Sequence, residues 1–149
     1  MINGRNQKEI TLDEWSDLRQ NKLAFLAQDM RLFPNMTLIE NLLIKNNLTN
    51  FKTETEINSL LEALEMDHKK SQMAGTLSLG QQQRVALIRS LLQPYELLLM
   101  DEPFSHIDEA NIDRALKIIL DECTQQKAGY VLTSLGSNHG IENNKTILL

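Results

Sequence analysis

A single cysteine, Cys123, leaves this chain of 149 residues without an internal disulfide. That excludes a disulfide-stapled secreted scaffold and fits a reducing, cytoplasmic compartment. Basic residues are in deficit as well: 15 Lys and Arg stand against 20 Asp and Glu, a net charge of -5. The chain therefore lacks the cationic face with which nucleic-acid binders neutralise phosphates, and no nucleic-acid partner is expected. Lys69-Lys70 is only a pair and reads as a solvated helix end. No apolar run approaches the roughly 20 residues of a membrane-spanning helix. Met1-Ile2-Asn3-Gly4-Arg5 is not a signal peptide, so contact with a membrane would go through a partner. Coiled-coil heptads, repeats and low-complexity tracts are missing too. What is present is 42% hydrophobic and 23% charged residues, the balance of one globular domain with a core.

Four capping boxes punctuate the chain: Thr11 with Glu14, Thr37 with Glu40, Thr53 with Glu56, and Ser78 with Gln81. Each offers reciprocal side-chain bonds to free N–H groups and predicts a helix start. Ile57, Leu60, Leu61 and Leu64 form an i, i+3, i+4, i+7 stripe. The helix after Ser78 is expected to run to about Leu92 and stop before Pro94. A fifth helix follows Asp108, with Ile112, Ala115, Leu116, Ile119, Leu120 and Cys123 on one face, which makes Cys123 a packed core thiol. Short strand-like runs at Leu23–Ala27, Leu97–Met100, Tyr130–Thr133 and Thr146–Leu149 alternate with these helices, so the class is α/β. The block from Thr37 to Lys70 has helical periodicity and no strand candidate. It predicts a helical subdomain inserted between sheet elements, which together with the helix after Ser78 takes in residues 31–94, between α/β core portions at 1–30 and 95–149.

The densest chemistry lies in Leu77-Ser78-Leu79-Gly80-Gln81-Gln82-Gln83-Arg84, followed by Leu97-Leu98-Leu99-Met100-Asp101-Glu102-Pro103. The second run is a buried strand that ends in two carboxylates, a place to hold a magnesium ion and a water. The first is a Ser-led helix start, which aims free N–H groups and a positive helix end at an anion. Taken singly, each has a plain reading: a structural cap, and an acidic strand-to-turn pair. In this order and spacing they resemble the signature and Walker B motifs of ATP-binding cassette (ABC) ATPases, the motor domains of ABC transporters. Phe25-Leu26-Ala27-Gln28, with Leu32-Phe33-Pro34-Asn35-Met36-Thr37 and Glu40-Asn41, is similar to the family's Q-loop and the segment after it; Ser105-His106-Ile107-Asp108 is similar to its D-loop.

The resemblance implies a partial P-loop NTPase sheet with an inserted α-helical subdomain, working on ATP with Mg2+. It implies that Asp101 holds the metal, that Glu102 polarises the attacking water, and that Gln28 is a further metal and water ligand. Ser78, Leu79, Gly80 and Gln81 would face the γ-phosphate of ATP bound to a second ABC domain in a head-to-tail dimer, and Asp108 would reach across that dimer. Leu79 stands where the family has glycine, a departure that bears on close backbone approach. The segment from Asp29 to Asn41 would receive a coupling helix from a transmembrane permease, with Phe33 and Met36 as contacts, although Phe33 suits core packing equally well. The protein would then sit peripherally on the inner face of the cell membrane.

Two departures weaken the catalytic reading. The family's G-x-x-x-x-G-K-[ST] phosphate loop, expected ahead of Gln28, does not occur; Gly75 and Gly80 have its spacing but are followed by Gln81 and Gln82. The chain thus reads as a domain cut before its Q-loop, expected to bind ATP poorly and to turn over none alone. Ser134 stands where the family has its switch histidine, and a hydroxyl lacks the imidazole's contact; His139, five residues on, is a remote substitute. His68 and His106 read as loop or surface residues. The expected function is the ATP-hydrolysing part of an ABC transporter, and the alternative is a non-catalytic module that keeps the signature helix and the permease surface.

Overall fold

The structure, a computed structural model, describes residues 6–134, and the structural statements below concern those residues. The expected strand at Thr146–Leu149 and His139 lie outside them. Three parallel strands form the sheet: β1 (Leu23–Leu26), β2 (Leu97–Asp101) in the middle, and β3 (Gly129–Thr133). α1 (Leu12–Asn21) precedes β1. Between β1 and β2 come only helices, α2 (Leu38–Asn46), α3 (Glu54–Ala63) and α4 (Leu79–Ser90), with 3-10 turns at Asp67–Lys69 and Ala74–Thr76. α5 (Glu109–Gln126) carries the chain from β2 back to β3, the crossover that a parallel pair requires.

All four capping boxes form, which is why α1, α2, α3 and α4 begin where they do. α4 ends earlier than the sequence suggests, at Ser90, and Leu91 and Leu92 continue as buried residues. Ile57, Leu60, Leu61 and the C-capping Leu64 are buried as the stripe predicts. On α5, Ala115, Ile119 and Cys123 are buried, while Leu120 lies at the exposed rim of the face. Lys127 ends α5 in a left-handed conformation, where its N–H closes on Cys123 and Thr124 carbonyls.

The sheet's two faces differ. Ala24, Leu26, Leu98 and Met100 are buried in a core with Val85, Ile88, Leu38 and Leu42, each buried large side chain being worth about 1.5–3 kcal/mol. On the other face the register sets Phe25, Leu99 and Val131 in one row, and Phe25 and Val131 are half exposed. Away from the sheet, buried Lys52 pairs with buried Glu122 at 2.8 Å, which ties the entry to α3 onto α5.

Candidate functional site

In a parallel sheet the carboxyl ends of all strands fall on one edge, where the chain turns into loops that can meet a ligand. The register brings Asp101, Glu102 and Ser134 to that edge, at the ends of β2 and β3, and Gln28 follows β1 on the same side. Thr133 Oγ1 donates to Asp101 Oδ1 at 2.7 Å, which fixes the carboxylate and leaves its second oxygen for another partner. Glu102 N donates to Thr133 O at 3.1 Å, so the ladder runs one residue past β2. Glu102 then adopts φ 48, a left-handed conformation uncommon for a residue with a side chain. Its carbonyl is gripped from α4: buried Gln83 donates through Nε2 to Glu102 O at 2.7 Å and accepts from His106 N at 2.8 Å. One amide thereby holds both sides of the turn that carries the acidic residue.

The start of α4 lies against the same turn. Ser78 Oγ accepts from Gln81 N at 3.3 Å and Gln81 Oε1 accepts from Ser78 N at 3.0 Å, closing the cap. A Cβ at Gly80 would stand 2.4 Å from His106 O, so this position is glycine because backbone meets backbone there. Leu79 is half exposed. Asp108 caps α5, taking Asn111 N at 3.1 Å and Asn111 Nδ2 at 2.8 Å. Those Asn111 bonds, the side-chain one first, hold its carboxyl below the usual carboxylate range.

Gln28 is exposed and leads into a strained turn. Met30 and Arg31, with φ 57 and φ 50, are both left-handed, and Arg89 at the far end of α4 donates to their carbonyls at 2.7 and 2.9 Å. Buried Asn41 then folds the next loop, accepting from Phe33 N at 2.8 Å and donating to the carbonyls of Phe33, Met36 and Thr37. Phe33 itself is half exposed, which favours its reading as a surface residue over core packing. The holding roles of Thr133, Gln83, Arg89 and Asn41 have no signal in the sequence motifs. Each acts on a group that only the fold brings near, or on backbone that only the fold bends.

Asp101 and the Gln28 amide offer hard oxygen donors of the kind Mg2+ takes alongside phosphate oxygens. Among the described residues no cluster of three or more His, Cys, Asp or Glu is placed to hold a metal by protein ligands alone. His68 and His106 are exposed, as expected, and His106 Nδ1 lies 3.0 Å from Ser105 Oγ.

This arrangement, a signature-type helix start locked to an acidic strand end, defines a class of nucleotide-processing cassette. A family model described as ABC transporter matches residues 1–105, and the chain belongs to that family. The lipoprotein-releasing system ATP-binding protein LolD of Novosphingobium aromaticivorans is 34% identical over 126 residues, 80% of this chain and 54% of that protein. The thiamine import ATP-binding protein ThiQ of Escherichia coli is 32% identical over 124 residues, 81% of this chain and 52% of that protein. A dimeric post-hydrolysis structure of the ATP-binding cassette MJ0796, bound to ADP and Pi, superposes with a TM-score of 0.71 at 25% identity, covering 89% of this chain and 60% of that one. The chain spans about half the length, or less, of the curated relatives it matches. No described helix is long and apolar enough to cross a membrane.

Proposed function

We infer that this chain supplies the signature helix, Walker B strand and Q-loop of an ABC transporter ATPase, which hydrolyses ATP to ADP and phosphate to drive a membrane permease. The observation that carries the reading is the lock between the two motifs: Gln83 and Gly80 seat the start of α4 directly on the turn of Glu102 and His106. In this reading residues 1–30 and 95–149 belong to the α/β core and 31–94 to the helical subdomain. Glu102 is the base that orients water toward the γ-phosphate and takes its proton. Asp101 and Gln28 hold magnesium, which neutralises phosphate charge when bound. Ser78, Gly80 and Gln81 present N–H groups to ATP carried by the phosphate loop of a second domain, with Asp108 at the shared interface. The Asp29–Asn41 segment, with half-exposed Phe33, meets the permease, which holds the protein at the inner face of the membrane.

The lysine that would contact the β- and γ-phosphates has no counterpart in these 149 residues, so turnover by this chain alone is expected to be nil. The test begins with the DNA ahead of the Met1 codon, read in frame for a loop ending in Gly-Lys-Ser or Gly-Lys-Thr. With such a loop, the whole product is expected to release phosphate in a magnesium-dependent way that Glu102→Gln abolishes. Release that persists in Glu102→Gln would sink the assignment of the base.

A second reading, a non-catalytic module that docks and regulates, is favoured by Ser134 at the end of β3, where a hydroxyl replaces the switch imidazole. A stop codon in that upstream frame would make it the leading one.

A further inference from the structure

Glu102 stands in a conformation that nothing local favours. Its φ of 48 is left-handed, and it precedes buried Pro103, whose ring pushes the residue before it toward extended backbone. A residue with a side chain keeps such a shape only where its surroundings impose it. The sheet fixes one side, since Glu102 N donates to Thr133 O at 3.1 Å. Whatever fixes the carbonyl side then decides where the carboxylate is carried.

Three donors reach Glu102 O. Two belong to Ser105, Oγ at 3.2 Å and N at 3.4 Å, and Ser105 is part of the same turn, so it travels with the carbonyl it binds. The third and shortest is Gln83 Nε2 at 2.7 Å, from the second turn of α4, where Gln83 is 2% exposed. Its other amide atom is committed as well. Gln83 Oε1 accepts from His106 N at 2.8 Å, so turning the amide over would set N–H against N–H and oxygen against oxygen. The amide therefore has one orientation and is anchored outside the turn it grips.

We propose that Gln83 is a positioning residue for Glu102: its amide holds the strained peptide between Glu102 and Pro103, and so aims the carboxylate that takes the proton from water. This rests on the reading of Glu102 as the base. Without the grip, Glu102 relaxes from left-handed to extended φ. With its N–H held by Thr133, that rotation swings the side chain in a new direction. Gln83 is buried and acts through Glu102 alone, so its loss falls on turnover and spares ATP binding.

Solution NMR of this chain reads the conformation directly. A left-handed residue brings its amide and α protons unusually close, so wild type should show a strong intraresidue HN–Hα cross-peak at Glu102. Gln83→Met, of similar volume but without the amide, should reduce that cross-peak to the level of the β2 residues, and Ser105→Ala should keep it; circular dichroism confirms that each variant folds. In the product that carries the phosphate loop, Gln83→Met should lower kcat by about 100-fold with KM for ATP held within about twofold. Gln83→Glu is the second variant. Its carboxyl donates to Glu102 O only while protonated, so its kcat relative to wild type should fall as pH rises, whereas the Gln83→Met ratio stays flat. An unchanged cross-peak in Gln83→Met, or its loss in Ser105→Ala alone, would overturn the proposal. So would a raised KM with kcat kept, or a Gln83→Glu ratio independent of pH. Phosphate release that persists in Glu102→Gln sinks the base reading instead, and the cross-peak then still decides whether Gln83 holds the turn.

Discussion

Replacing Gly80 by alanine tests the contact that joins α4 to the acidic turn. In an ordinary helical position the change would stabilise the protein by about 0.4–1 kcal/mol, because alanine has less chain freedom to lose. Here the new Cβ would lie 2.4 Å from His106 O, which is backbone and cannot swing aside. Reaching ordinary contact requires the two segments to part by about 1 Å, and that motion draws His106 N away from Gln83 Oε1, now at 2.8 Å. Overpacking costs about 1–3 kcal/mol, and a weakened buried hydrogen bond adds roughly 0.5–1.5 kcal/mol. The net expectation is a loss of about 0.5–4 kcal/mol, centred near 2, with Tm falling by about 2–4 °C for each kcal/mol in a chain of this size. Urea unfolding followed by circular dichroism measures the loss, and hydrogen exchange at the His106 amide locates it. Half-exposed Leu79, replaced by alanine in parallel, should change little. A Gly80→Ala protein as stable as wild type, with His106 equally protected, would show that the close approach does not hold the turn.

Three further outcomes are expected. Arg89→Ala removes two charge-assisted bonds to the left-handed residues Met30 and Arg31, so stability should fall by about 1.5–3 kcal/mol and trypsin should cut faster after Arg31; an unchanged cleavage rate would refute the clamp. Lys52→Ala strands buried Glu122, whose Oε2 already lacks a partner, at a cost of about 3–5 kcal/mol; Lys52→Met with Glu122→Leu should recover most of it in the same urea assay. Glu40, Glu56 and Asp108 carry carboxyls held low chiefly by hydrogen bonds to Thr37, Thr53 and Asn111. A depressed carboxyl stabilises the folded state above its ordinary value, 4.5 for the glutamates, and that stability is lost as pH falls below it, so Glu40→Gln should flatten the acid limb of stability against pH.

Local chemistry is legible in the sequence. Each Thr or Ser with its acid or glutamine three residues on acts within one turn of chain, so Thr11, Thr37, Thr53 and Ser78 cap the helices they announce. The three strands within the described residues fall within a residue of their expected bounds, because four or five apolar residues between turns leave little choice. Contacts set by register or by bent backbone are not legible. Thr133 reaches Asp101 only because β2 and β3 pair at that level. Gln83 and Arg89 bind carbonyls, and a carbonyl has no signature in a sequence. The capping pair Asn6 and Glu9 at the 3-10 turn Gln7–Glu9 is equally silent, since so short a turn has no periodicity to mark it.

α4 is 12 residues long, about 18 Å at 1.5 Å per residue. One end holds the Ser78 cap and the Gly80 contact; the other holds Arg89, hooked over the carbonyls that come after Gln28. A helix of this length is stiff against compression, so it behaves as a connecting rod with a bearing at each end. Pressure along the axis at the Ser78 end would reach the turn after Gln28 as a shift of that turn. A displacement along the helix axis therefore moves both ends together, unless Arg89 lets go.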